Sequence, residues 1–276
     1  MTMERRELAR ALSNPQDISC PPRIREPWSV LGVTGSPGVG KSCIVDKIVK
    51  SWVDEGDKVA VLAIDPSSPV TGGALLGDRM RMSSVDANDS VFFRSIATRN
   101  VPGGIPAMLD RMIDLLFHEG WRKIIIETVG SGQSEVRVVA VADRILLVEG
   151  PGRGDIIQAE KAGIIELSDI IAVNKSDLPG AEKVAQEIKL SLEMSDTKPP
   201  AILLCSAESG DGISELIETI NDLPNAKGPS IAKARERLLS ANQEILLNHP
   251  DFSDVLKSLV ADEISIADAM ALLKGA

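Results

Sequence analysis

The chain has 276 residues, 43% hydrophobic and 25% charged, with a formal net charge of −10. This composition supports one globular domain with a large core, and the acidic balance argues against generic nucleic-acid binding. No apolar run reaches membrane-spanning length, and three cysteines and two histidines without metal spacing point to a reducing compartment rather than a metal cluster.

Residues 3–13 carry the pattern of a short amphipathic helix. The first twelve residues lack a signal-peptide core, which predicts a cytoplasmic protein. Residues 14–27 read as a loop broken by Pro21, Pro22 and Pro27. Apolar runs at 30–33, 59–64, 91–93, 123–126, 144–148, 170–173 and 201–204 predict strands. Residues 105–118 predict a helix with Leu109, Met112, Leu115 and Leu116 on one side. Uninterrupted Val/Ile/Leu runs separated by helices mean a mostly parallel sheet covered on both faces. The expected fold is α/β, a three-layer Rossmann-like arrangement with helices on both faces of the sheet. Cys43 and Cys205 fall in apolar elements and are expected as small core residues. Beyond Pro224 the strands cease. Residues 230–249, 252–260 and 266–273 predict helices, the last capped by Ser265. The organisation read from these patterns is an N-terminal helix and loop (1–28), an α/β sheet domain (29–224) and a C-terminal helical extension (225–276).

The first strand runs into Gly35-Ser36-Pro37-Gly38-Val39-Gly40-Lys41-Ser42, and Cys43 continues into a helical pattern. This fits the phosphate-binding loop G-x-x-x-x-G-K-[ST] in its required strand–loop–helix context, which makes the expected α/β fold that of a P-loop NTPase. Glycines let successive N–H groups face inward as an anion nest, and the helix N-terminus adds its positive dipole end. Lys41 supplies a point charge for the β- and γ-phosphates, and the Ser42 hydroxyl can ligate Mg²⁺.

In parallel sheets such ligands bind beyond the carboxyl ends of the strands. Asp65 follows the second run and Glu127 the fourth. Each places a carboxylate where Mg²⁺ or its bound water would sit, opposite Ser42. Gly130 then offers a backbone N–H to the γ-phosphate, and Gln133 lies three residues further on. The Gly-rich stretch 71–82 carries Asp78 and suits a nucleotide-sensitive loop. Ser42, Asp65, Asp78 and Glu127 form the candidate metal set; Lys41, Asp65, Asp78, Glu127 and Gln133 form the candidate catalytic set. After the sixth run stands Asn174-Lys175-Ser176-Asp177, an N-K-x-D arrangement. The Asp177 carboxylate can accept two hydrogen bonds from guanine's ring N–H and exocyclic amine, whereas adenine offers the wrong pattern. The Lys175 stem covers the base and Asn174 braces the loop. Cys205-Ser206-Ala207 follows the seventh run, where a backbone N–H of Ser206 or Ala207 can meet the guanine oxygen. The pattern selects GTP over ATP.

Together these residues resemble the MeaB/ArgK/MMAA family, GTPases of the SIMIBI class that act as chaperones for cobalamin-dependent acyl-CoA mutases. The most specific stretches are 61–68, 76–79, 94–99, 127–135 and 151–155 with Gln158, Lys161 and Gly163. The resemblance implies GTP/GDP and Mg²⁺ as ligands, Asp78 in switch I and 127–135 in switch II. It also implies an additional switch III over 150–161, with Asp155 and Lys161 as its partner-coupling charges. It further implies a homodimer through the C-terminal helices. The client would be methylmalonyl-CoA mutase or a relative such as 2-hydroxyisobutyryl-CoA mutase, whose adenosylcobalamin loading is gated by GTP hydrolysis that is slow until the partner reorders the switches. Ser131 and Ile156 depart from the family pattern within the switches. Two other classes compete. A metal-insertion GTPase of the same structural class would need a His- or Cys-rich metal store. A transport-linked kinase or ATPase would need a phosphoacceptor site and no guanine-reading loop.

Overall fold

The structure, a computed structural model, describes residues 3–14, 17–22, 28–65, 89–97, 105–128, 141–152, 164–165, 167–193, 199–223, 231–247 and 249–274. The elements in order are α1 (Arg5–Ala11), β1 (Val30–Gly35), α2 (Lys41–Asp54), β2 (Val59–Asp65), β3 (Val91–Ala97), α3 (Ile105–His118), β4 (Lys123–Thr128), β5 (Arg144–Glu149), β6 (Ile170–Val173), α4 (Ala181–Leu192), β7 (Ala201–Leu204), α5 (Ile213–Asn221), α6 (Ile231–Leu247), α7 (Phe252–Val260) and α8 (Ile266–Lys274).

All seven predicted strands form, in one sheet of order β3-β2-β4-β1-β5-β6-β7. Every pairing is parallel, so the sheet is wholly rather than mostly parallel. β1, β5 and β6 are buried along their whole length, as strands covered on both faces must be. On one face Leu31 and Val33 pack with Ile44, Val45 and Ile48 of α2 and with Leu216, Ile217 and Ile220 of α5. On the other, Val30, Ile124 and Ile126 meet Leu109, Met112, Ile113 and Leu116 of α3. Leu147, Ile171 and Val173 meet Val184, Ile188 and Leu192 of α4. The predicted face of α3 is therefore the face it buries.

One expectation is corrected. Cys205 is buried, but Cys43 is exposed. Cys43 is the third residue of α2, and the sheet-facing phase of that helix is taken by Ile44, Val45 and Ile48. Burial pushes the Cys205 thiol up to about 11, which keeps it protonated and chemically inert.

β1 lies between β4 and β5, and the chain leaves it toward β2 on one side while later strands build the other. The loop after β1 therefore opens at the point where the strand order reverses, which is where doubly wound sheets hold their ligands.

The C-terminal helices make a small core of their own from Val255, Ala269 and Leu273. Ser265 caps α8 as predicted: its Oγ accepts the Asp268 N–H at 3.1 Å, and the Asp268 carboxylate accepts the Ser265 N–H at 3.1 Å. Two cations tie α6 to the sheet domain. Lys233 Nζ donates to Asp169 Oδ2 at 3.1 Å and to the Asp143 carbonyl at 3.0 Å. Arg237 pairs with Asp110 of α3 at 2.7 Å. Burial pushes the Lys233 ammonium below the usual lysine range, against the pull of Asp169. Among the described residues no helix is long and apolar enough to cross a membrane.

Candidate functional site

The loop Gly35–Ser42 connects β1 to α2 and carries its own counter-charge arrangement. Lys41 is buried, and its Nζ donates to the carbonyls of Gly35 at 2.8 Å and Ser36 at 2.9 Å. The ammonium is thereby held across the mouth of the loop. Gly40 precedes α2 in the left-handed conformation without a side-chain cap, so the first amides of the helix point toward the loop as donors. Val39 is buried, while Pro37 and Gly38 face solvent.

The candidate metal-side residues come from neighbouring strand ends. Glu127, near the end of β4, is 5% exposed, and its Oε1 accepts the Ser42 hydroxyl at 2.6 Å. Residues 85 positions apart are thus joined directly across the β4–α2 interface. Beside them Thr128 Oγ1 donates to Thr34 Oγ1 at 3.1 Å. Asp65 ends β2, one residue past the Ile64↔Thr128 pairing, so its backbone lies at the same carboxyl rim. A hydroxyl and carboxylates are hard oxygen donors, the set that suits Mg²⁺. Asp78, Gly130, Gln133, Asp155 and Lys161 lie outside the described residues.

The base-side loop is braced from three directions. Asn174 Nδ2 donates to the Val39 carbonyl at 2.7 Å, and its Oδ1 accepts the Ala207 N–H at 3.0 Å. One side-chain amide therefore fastens the phosphate loop to the loop after β7. Lys175 adopts φ 61°, a left-handed conformation rare for a side-chain-bearing residue. Its Nζ donates to the Gly38 carbonyl at 2.9 Å, which lays the aliphatic stem alongside the phosphate loop. The Ser176 N–H donates to the Cys205 carbonyl at 3.0 Å. Asp177 is left exposed. Ser206 is buried, its N–H donating to the Asp211 carbonyl at 2.8 Å and its Oγ accepting the Ser209 N–H at 3.2 Å. The Ser206 and Ala207 amides, read in the sequence as donors to a base oxygen, both have protein acceptors here.

One buried acid was missed. Glu149 ends β5, and its carboxylate accepts the Ser36 hydroxyl, 3.2 Å to Oε2. It obeys the same strand-end rule that singled out Asp65 and Glu127, so a search of the residue after every apolar run would have found it.

A phosphate-loop motif at the strand-order reversal of an all-parallel sheet, with an N-K-x-D loop two strands away, defines a P-loop nucleoside triphosphatase. Among solved structures, a protein described as LAO/AO transport system kinase has this fold, with a TM-score of 0.63 and 24% identity over 99% of this chain and 93% of that one. The family model for methylmalonyl-CoA mutase-associated GTPase MeaB matches residues 27–261, and the chain belongs to that family. A Pyrococcus horikoshii relative is 40% identical over 222 residues, covering 78% of this chain and 70% of the relative. The Escherichia coli GTPase ArgK is 35% identical over 233 residues (79% and 70%). The mouse protein called methylmalonic aciduria type A homolog, mitochondrial, is 34% identical over 233 residues, covering 79% of this chain and 56% of its own length. The chain is a guanine-nucleotide-binding GTPase.

Proposed function

We propose that this GTPase is a nucleotide-driven gate for a cobalamin-dependent acyl-CoA mutase, controlling when adenosylcobalamin is loaded and protected. The observation that carries the reading is the 2.6 Å hydrogen bond between Ser42 of the phosphate loop and Glu127 at the end of β4. It wires nucleotide occupancy to the start of the segment that resembles switch II, so a ligand at the loop has a direct mechanical route to a partner-facing segment. The family's own name supplies the mutase association. Ser42, with Asp65, Asp78 and Glu127, would hold Mg²⁺, which supplies charge neutralisation on the β- and γ-phosphates. Lys41 binds the phosphates, Asn174 holds the two loops in register, and Asp177 reads the base. Asp155 and Lys161 would carry the signal to the mutase.

Intrinsic hydrolysis is expected to be slow, and the cognate mutase to accelerate it by about 10³-fold, the scale on which a supplied charge or reordered water acts in related enzymes. Glu127→Ala should abolish that acceleration while leaving GTP affinity within roughly fivefold, because the phosphate loop and Lys41 remain. Single-turnover hydrolysis with and without methylmalonyl-CoA mutase reads both. Turnover by the isolated protein that already matches the stimulated rate would overturn the gate.

A homodimer through residues 225–276 is part of the same reading. Ile231, Leu238 and Ile245 are 91%, 72% and 60% exposed, and with exposed Ala234 and Ala241 they form a heptad-spaced stripe on α6. The stripe is centred about 100° round the helix from Lys233 and Arg237, which grip the sheet domain. Leu238→Glu should turn a dimer into a monomer in sedimentation equilibrium, with the guanine-nucleotide affinity unchanged. A dimer that survives the substitution would place the interface elsewhere.

A further inference from the structure

Glu149 touches both halves of the nucleotide site. Its carboxylate accepts the Ser36 hydroxyl, at 3.2 Å to Oε2 and 3.4 Å to Oε1, while its main-chain carbonyl accepts the Asn174 N–H at 2.7 Å. The strand register explains the meeting. Gly35 pairs with Val148, so Ser36 and Glu149 are each one step beyond a paired position and come together at the carboxyl rim. Both are buried, at 6% and 4% exposure.

A carboxylate is the wrong sign for this position if its only task is to support a phosphate site. The loop's amides, the N-terminus of α2 and the Lys41 ammonium all attract phosphate. Glu149 opposes them from close range. The Lys41 ammonium rests 2.9 Å from the carbonyl of the same Ser36 whose hydroxyl meets Glu149. By backbone dimensions the two charges are therefore no more than about 10 Å apart. That is close to one Debye length, and the separation runs through protein, where salt screens little. At an effective dielectric near 20, unit charges at ~10 Å change an equilibrium constant by about tenfold. A cation that also met this carboxylate would be released by its neutralisation and would add to the change.

We propose that Glu149 sets the strength and the GTP-to-GDP preference of nucleotide binding. Its hydrogen bond orients Ser36 and so the phosphate loop, while its charge weakens phosphate binding. GTP, with one more negative charge than GDP, is penalised more. The residue keeps either nucleotide exchangeable rather than trapped.

Equilibrium titration of the full chain with GDP and with a non-hydrolysable GTP analogue tests this. Glu149→Gln keeps the shape and an acceptor for the Ser36 hydroxyl but removes the charge. It should bind both nucleotides more tightly, GDP by about tenfold and the GTP analogue by more. Ser36→Ala keeps the charge and removes the hydroxyl that solvates it. It should weaken binding, and the analogue more than GDP. A residue that only held the loop's shape would behave otherwise: Glu149→Gln would leave both affinities unchanged or lower, or shift them by one common factor. Any of these results overturns the proposal, as does tighter binding by Ser36→Ala.

Discussion

Asp177→Asn is expected to lower GTP affinity by about 10²–10⁴-fold and to raise affinity for xanthosine triphosphate. A carboxylate offers two acceptors to the guanine ring N–H and exocyclic amine; an amide offers one acceptor and one donor. The amine would then face a donor, and a buried mismatch of this kind costs far more than a lost contact, which is why sites built on hydrogen-bond pattern discriminate so strongly. Xanthine carries a carbonyl where guanine carries the amine, so the same amide complements it. The change should be chemical rather than structural. Asp177 is exposed, and the loop geometry rests on other groups: Asn174 between Val39 and Ala207, Lys175 on Gly38, and Ser176 on Cys205. Exposed substitutions of this type change stability by less than about 0.5 kcal/mol. Competition binding of GTP, xanthosine triphosphate and ATP, beside a denaturant titration, separates the two effects. Unchanged guanine preference in the variant would remove Asp177 from base recognition.

The asymmetry of that site explains what the sequence could and could not tell. Strand positions were legible because every strand contains an apolar run, and a run needs no partner to be recognised. The loop Gly35–Ser42 and Asn174–Asp177 were legible because their spacing is local. What stayed hidden depends on pairing between distant positions. Nothing in the helical pattern of α6 marks Lys233 as buried; only the arrival of Asp143 and Asp169 at the opposite rim makes a place for its ammonium. Cys43 was misjudged by averaging over an apolar stretch, although the phase set by Ile44, Val45 and Ile48 already turns it outward. Glu149 sat in plain view after an apolar run, yet its meaning requires knowing that β5 lies beside β1, which no residue pattern states. The all-parallel order has the same origin: runs predict strands, and topology alone decides their neighbours.

Gly40→Ala should remove most GTP binding, by more than about 10²-fold, and with it the preference for guanine. Two independent costs meet at this residue. Its φ of +93° lies where side-chain-bearing residues are strained, by roughly 1–2 kcal/mol. An added Cβ would also fall 2.4 Å from Asn174 Nδ2, closer than any real contact. Asn174 cannot yield cheaply, because the same side chain holds the Val39 carbonyl and the Ala207 N–H. Leaving either buried partner unsatisfied costs about 1–3 kcal/mol. One methyl group should therefore dislodge the phosphate loop and the base-reading loop together, with a total destabilisation of about 2–5 kcal/mol. Gly56→Ala isolates the first cost. Gly56 has nearly the same φ, +95°, but an added Cβ would meet nothing within 4 Å. That variant should lose roughly 1–2 kcal/mol in a urea titration and bind GTP as the parent does. If Gly40→Ala behaves like Gly56→Ala in both measurements, Asn174 is not the clamp between the loops, and base selection must be held in register by something else.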